Sequence, residues 1–233
     1  MSQKFVSIGA AAVVAAASAL AVAGPALAGS PAGVSVRVEG GNGTLMPAKT
    51  VRTPSGYIRK FGAPAATCPF SSAQGALAVA THGNWQGSWS TKYSEYFITG
   101  ILGVTASGAS HYWEVFVNNV AATAGACEIK TGPGTQLLFA DVPTKGPAQL
   151  PLGVSVPASA TVGKQFFAKV VAYNANGRAT PLAGATVTVG GKSGLTTANG
   201  QIPLTASRAG AYTIAVSKTG HIRTEATVEV SAA

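Results

Sequence analysis

Negative charge is scarce in this sequence: seven Asp and Glu side chains stand against sixteen Lys and Arg, and Asp141 is the one aspartate among 233 residues. Charged residues make up 10% of the chain and hydrophobic ones 47%, which excludes a disordered polypeptide and leaves enough apolar material for packed cores. Histidine is nearly as rare. His82, His111 and His221 lie far apart, with no Gly-x-Ser-x-Gly elbow, His-Glu-x-x-His helix or phosphate-cradling loop beside them. Glu114 with His111 is the best acid–base pair available, yet a spacing of three on a strand sets them on opposite faces. No motif places a nucleophile next to a base, so a non-enzyme is expected, with no catalytic residues, and an extracellular hydrolase ranks last among the functions considered.

Cysteine is equally sparse. Cys68 and Cys127 cannot build a four-ligand zinc site, and no histidine sits near either in sequence, so neither a metal nor a cofactor is expected. In an oxidising compartment an even count with no metal-type spacing reads as one disulfide. Closing a loop of that length would contribute about 4 kcal/mol in the chain-entropy model.

Long hydrophobic runs are missing too, save one. After Lys4, the residues from Phe5 to Ala23 are uncharged and apolar or small, Pro25 ends the run, and Ala26-Leu27-Ala28 has the small-x-small pattern of a signal peptidase site. The alternative is a transmembrane anchor, but the stretch barely reaches bilayer length, is built largely of alanine and leads straight into the cleavage pattern. An export signal over 1–28 is therefore predicted, with a secreted or envelope-associated product starting at Gly29 and no membrane span after cleavage. Removing Lys4 and no acid leaves a formal net charge of +8 on the mature chain, from the +9 of the whole sequence. That surplus favours anionic envelope polymers by long-range attraction, but the charges are scattered, no basic run exceeds Arg59-Lys60, and a nucleic-acid partner is not expected.

What is present is β-patterning in two blocks. The stretch 143–151, rich in Pro, Gly and Lys, reads as a linker between a first domain at 29–142 and a second at 152–233. In the first, Val34, Val36 and Val38 alternate with Ser35, Arg37 and Glu39, and Gly40-Gly41-Asn42-Gly43 turns the chain into an extended segment over Thr44 to Arg52. Ser71 to Thr81 is the one helix candidate, capped by Ser71 or Ser72 and stopped by Gly83. Strands are expected at Tyr96 to Leu102, His111 to Val117 and Gln136 to Asp141, with Asn118-Asn119 forming a tight hairpin turn. The second block shows seven short strands, from Gly153 to Val230, separated by Asn- and Gly-rich turns. The fold class expected is mainly β: an α+β domain with a small sheet and one helix, then a seven-stranded Ig-like or prealbumin-like β-sandwich.

The first domain resembles the transcobalamin-like C-terminal domain family of secreted bacterial proteins. The resemblance is carried by Val36-Arg37-Val38-Glu39-Gly40, the helix after Cys68, Tyr112-Trp113-Glu114-Val115-Phe116-Val117-Asn118-Asn119, Gly125-Ala126-Cys127 and Leu137-Leu138-Phe139-Ala140. Gly134-Thr135 stands where the family usually has Gly-Asp. In vertebrate transcobalamins the similar domain closes over cobalamin together with a helical barrel; no such barrel accompanies this one, so the resemblance implies no cobalamin site. The second domain looks like carboxypeptidase regulatory-like and bacterial Ig-like modules, through Pro181-Leu182-Ala183-Gly184-Ala185-Thr186-Val187, Thr196-Thr197-Ala198-Asn199-Gly200 and Ala209-Gly210-Ala211-Tyr212-Thr213. Such modules imply a spacer or adhesive role.

Aromatics make up only 7% of the chain, yet all three tryptophans and four other rings fall between Trp85 and Trp113. Flat faces at Trp85, Trp89, Tyr93 and Tyr112 would stack on sugar rings or another planar ligand without needing charge. The structural alternative puts Trp113 and Phe97 in the core and leaves the others lining a loop. A non-catalytic binding or adhesion module at or outside the cell envelope is the leading expectation, its partner a cell-wall glycan, an anionic envelope polymer or another surface protein. A structural envelope or spacer protein without a ligand is the competing one.

Overall fold

The computed structural model describes residues 33–233, so the predicted export signal over 1–28 lies outside the described residues. The first half carries β1 (Val34–Glu39), β2 (Thr44–Val51), α1 (Ala73–Ala80), β3 (Trp85–Ser90), β4 (Glu95–Ile101), β5 (Val104–Thr105), β6 (His111–Val117), β7 (Val120–Ala121) and β8 (Gln136–Pro143). The second carries β9 (Leu150–Ser155), β10 (Ser159–Thr161), β11 (Gln165–Tyr173), β12 (Ala179–Pro181), β13 (Thr186–Val189), β14 (Lys192–Leu195), β15 (Gln201–Thr205), β16 (Gly210–Ser217), β17 (His221–Ile222) and β18 (Thr224–Ser231). The chain is mainly β, with one helix among the described residues.

Alternation on β1 sends Val34, Val36 and Val38 to one face of a five-stranded sheet ordered β2-β1-β8-β6-β7. β1 runs parallel to β8 and antiparallel to β2, while β6 runs antiparallel to β8, so Val38, Phe139 and Val115 line up across the sheet. Helix α1 closes this face with Ala73, Ala76, Leu77 and Ala80. Its first-turn amides are all accounted for locally. Ser72 Oγ accepts from Gly75 N–H at 3.1 Å, and the Ala73 and Gln74 amides donate to the carbonyls of Ile129 and Ala126, each at 2.9 Å. The Cys68–Cys127 disulfide, with Cα atoms 4.9 Å apart, fastens that loop to the residues before the helix. Glycine at 75 is obligatory, since a Cβ there would sit 2.2 Å from the Phe70 carbonyl oxygen. The predicted hairpin at Asn118-Asn119 forms between β6 and β7, both residues at positive φ.

Three strands of the first half escape the sequence pattern, β3 and the two-residue β5 and β7. β3 joins β4 and the two-residue β5 in a separate three-stranded sheet. The segment Trp-Gln-Gly-Ser-Trp-Ser carries glycine and serine and no β-branched residue, which weakens the strand signal.

In the second half, β10-β18-β16-β13-β14 forms one sheet, and β12-β11-β9-β17, with β15 also on β11, forms the other. Phe166, Ala168 and Val170 of β11 meet Ile214 and Val216 of β16 and Val228 and Val230 of β18 in a core of its own. All seven predicted strands are present as β9, β11, β13, β14, β15, β16 and β18. β10, β12 and β17 are additions of two or three residues, too short to show a period. The stretch 143–151 read as a linker contributes Pro143 to the end of β8 and Leu150-Pro151 to the start of β9, positions where a missing N–H is tolerated. Thr144, the first residue outside a strand, is pinned by its amide to the Ser110 carbonyl at 2.8 Å.

The two halves touch. Phe116, Leu138, Ala140 and Val142, on the face of the first sheet opposite α1, pack against Ile222 and Leu150. Burial on both faces accounts for the unbroken apolar run Leu137-Leu138-Phe139-Ala140. It also buries the polar side of β1, which the alternation assigned to solvent: Glu39 is 1% exposed. Arg37 donates from Nη1 to Thr224 Oγ1, and its Nε lies 3.7 Å from Glu39 Oε1. Thr44 Oγ1 donates to Glu39 Oε2 at 3.0 Å, and Arg223 donates to the Gly41 carbonyl at 2.8 Å. Burial pushes the Glu39 carboxyl up to about 7 against the pull of Arg37, Thr44 and Arg223, and burial likewise holds the Arg37 guanidinium below its usual value.

Candidate functional site

The β3–β4 hairpin sorts the aromatic residues into an inner and an outer set. Pairing of Trp89 with Tyr96 and of Ser88 with Phe97 fixes the register, and the pleat then turns Tyr96 inward and Phe97 outward. Trp85, Trp89 and Tyr96 make the inner set, and Phe61, itself 43% exposed, packs onto it from outside. Trp85 and Tyr96 meet edge to face with centroids 5.0 Å apart, Trp89 and Tyr96 at 4.9 Å, and Phe61 and Trp85 at 5.2 Å. Lys60 completes it, its Nζ donating to the carbonyls of Gly83 at 2.7 Å and Trp85 at 2.9 Å while lying 4.7 Å from the Trp85 ring centroid.

This placement corrects the sequence-based site. Trp85 is 2% exposed and offers no face to a ligand, while Trp89 is half-buried, with its ring against Tyr96 and its indole nitrogen buried. The physical reason is the unrecognised strand β3, whose alternation carries Trp85 and Trp89 to the same inward side. Tyr93 and Tyr112 are outside, at 55% and 44% exposed, and Phe97, assigned to the core by the structural alternative, joins them at 51%. Tyr93 and Phe97 meet edge to face at 5.8 Å. Trp113 is buried in the first core, as its alternation predicts.

The outer rings border a groove between β4, β6 and the loop at 122–126. One part, of about 260 Å³, is lined by Phe97, Ile98, Tyr112, Trp113 and Glu114; an adjoining part, of about 400 Å³, is lined by Tyr93, Phe97, Thr123 and Glu128. Glu95, Phe97, Ala124 and Gly125 belong to both, which makes the surface continuous. The strands facing it have edges left open. β4 takes β5 only at Gly100 and Ile101, and β6 takes β7 only at Phe116 and Val117.

Glu95 holds the groove together. Its carboxylate accepts from Cys127 N–H at 2.9 and 3.1 Å and from Tyr96 N–H at 2.9 Å, tying the disulfide loop to β4. Burial raises its pKa, and the two amide donors oppose that rise. A Cβ at position 125 would lie 2.1 Å from Glu95 Oε2, so the Gly-Ala-Cys segment needs its glycine for this close approach. Across the groove Tyr112 donates its hydroxyl to Glu114 Oε2 at 2.7 Å, and that bond to the carboxylate pushes the phenol pKa up. Sequence reasoning passed over Glu95, Phe97 and Glu128. The signal for Phe97 was the inside-outside alternation of Glu-Tyr-Phe-Ile-Thr once Tyr96 is placed inside; no sequence signal marks Glu128.

His111 and His221 line a different, interdomain cleft with Glu39 and Asp141. Among the described residues no three His, Cys, Asp or Glu side chains converge as metal ligands.

Residues 80–140, from the end of α1 into β8, match the family model of a domain of unknown function, DUF4430, which is the transcobalamin-like family. No curated protein matches the chain. Among solved structures, red sea bream transglutaminase is similar at 23% identity and a TM-score of 0.24, over 43% of this chain and 17% of that one.

Proposed function

We propose that this chain is an exported, non-catalytic binding module that acts at or outside the cell envelope through the groove between β4 and β6. The observation that carries the reading is the set Tyr93, Phe97 and Tyr112, exposed along one continuous concave surface, while Trp85, Tyr96 and Trp113 of the same half are buried. Non-catalytic action is supported by the engagement of its carboxylates: Glu95 is bonded to two backbone amides and Glu114 to a phenol. The disulfide suits an oxidising compartment, and no described helix is long and apolar enough to cross a membrane. The second domain serves as an Ig-like or carboxypeptidase regulatory-like support. Of the expected partners, an anionic polymer suits this groove least, because Glu95, Glu114 and Glu128 line it. A cell-wall glycan or a surface protein remains.

Retention of the purified secreted chain on a cell-envelope fraction tests the reading. The Tyr93→Ala/Phe97→Ala double variant should lose retention about tenfold or more, as expected when anchoring aromatics are truncated, while its melting temperature stays near that of the parent. Unchanged retention would favour the spacer role, which the buried contact between the two halves also suits.

A further inference from the structure

The chemical class of the occupant can be taken further, resting on the groove as the binding surface. We infer that the groove receives the lysine or arginine side chain of an extended, basic polypeptide segment.

Charge is the first argument. The chain has seven acidic residues and sixteen basic ones, yet three of the seven, Glu95, Glu114 and Glu128, line this one surface and no Lys or Arg does. Among the described residues none of the three makes an ion pair, the one such pair being Arg37 with Glu39. Within about a Debye length, near 8 Å at physiological salt, these three carboxylates outnumber the one cation beside the groove, Lys92 over the Tyr93 ring, whatever the net charge of the whole.

Aromatic faces are the second. Rings at Tyr93, Phe97 and Tyr112 present negative π faces beside the carboxylates, the combination that attracts an ammonium or guanidinium and shields its alkyl stem. The protein's own Lys92 already lies 4.9 Å from the Tyr93 ring centroid, so one face of that ring accepts a cation in the free state.

Backbone is the third, and it selects a polypeptide over a small ammonium ion. β4 and β6 each lack a ladder partner on one edge over groove-lining residues, with the Tyr96 amide taken by Glu95 and the Val115 carbonyl by Ala122 N–H, and an extended chain is the ligand that uses the rest of such edges as hydrogen-bond partners.

Fluorescence anisotropy with a labelled alternating Lys-Thr heptapeptide, and with its twin acetylated on every lysine, tests the inference on the secreted chain. The charged peptide should bind about tenfold or more tightly than the acetylated one, as removal of a partly desolvated cation–π contact implies. Glu128→Gln should weaken the charged peptide alone, Lys92→Ala should tighten it by freeing the Tyr93 face, and Tyr93→Ala/Phe97→Ala should abolish binding. Equal affinity for the twins, both lost in the aromatic variant, would overturn the charge assignment and leave the groove as a binding surface. The charge assignment is overturned in the same way if neither peptide binds while envelope retention still depends on Tyr93 and Phe97. Peptide binding that ignores Glu128 and the aromatic pair would place the interaction elsewhere and overturn the inference, and envelope retention that also ignores that pair would remove the groove reading with it.

Discussion

The two halves of the molecule obey the backbone's preferences to different degrees. Every non-glycine residue with positive φ among the described residues, Phe61, Ala66, His82, Ser94, Leu102, Asn118 and Asn119, lies in the first half; in the second, each such position is a glycine. His82 and Leu102 flank the β3–β4 hairpin and Ser94 sits in its turn. The sandwich is thus built from locally consistent choices, whereas the aromatic hairpin is held in place by what surrounds it: the disulfide, Glu95 and the Lys60 bonds to the carbonyls of Gly83 and Trp85. Three of these seven departures from local preference, His82, Ser94 and Leu102, lie at the ends and turn of the hairpin that borders the groove.

That contrast can be broken most forcefully at the disulfide. Cys68→Ala/Cys127→Ala should destabilise the first half by about 4 kcal/mol, lowering its calorimetric transition and leaving that of the sandwich nearly in place. A common shift of both would show that the halves unfold as one unit. Truncation in the other core is the mirror experiment: Ile214→Ala, fully buried among Val216, Val228 and Val230, should lose about 3 kcal/mol from the sandwich and leave envelope retention unaltered.

The seam between the halves responds to pH. Burial raises Glu39 in the folded state from the ordinary 4.5 to about 7, so its contribution to stability is present in full below pH 4.5 and disappears as pH rises through 7. Glu39→Gln stays neutral throughout. Relative to that variant the parent should therefore lose stability between pH 5 and pH 8, by about 2 kcal/mol, in chemical denaturation at the two values. Arg37 and Arg223 pull this carboxyl down while Glu225 pushes it up, and a difference that is flat with pH would mean that the two arginines keep it ionised in the fold. Smallest of all is the expected effect of the outer rings on stability. Tyr93→Ala and Phe97→Ala should each change unfolding free energy by about 0.5 kcal/mol or less, the usual range for exposed positions, while removing binding.

Much of the architecture is legible in the residues because period-2 patterns report one buried face. β11 follows it over its first six residues, and the valines of β1 and Trp113 of β6 go inward as their alternation demands, although the second half buries part of the other face. Ser72 capping α1 and Asn118-Asn119 turning a hairpin are equally local facts. Pattern fails where burial is imposed from elsewhere in the chain. Arg37 and Glu39 look solvent-facing because the surface that covers them, with Arg223 and Thr224, comes nearly two hundred residues later. The candidate site was half visible for a related reason. Clustering of the rings in sequence is plain, but which rings face out depends on the pairing of β3 with β4, and β3 carries glycine and serine in place of a β-branched run. Trp85, offered outward in the binding reading, is therefore buried, Trp89 is half-buried, and Phe97, placed inward by the structural alternative, is exposed.

Hydroxyl-radical footprinting of the purified chain, free and saturated with a cell-envelope fraction, addresses the groove most directly. Oxidation of Tyr93, Phe97 and Tyr112 should fall on binding, Trp85 should stay unreactive in both states, and the exposed Phe167 of the sandwich should be unchanged. Protection of Phe167 with Tyr93 and Phe97 still reactive would contradict it, moving the binding surface to the second half.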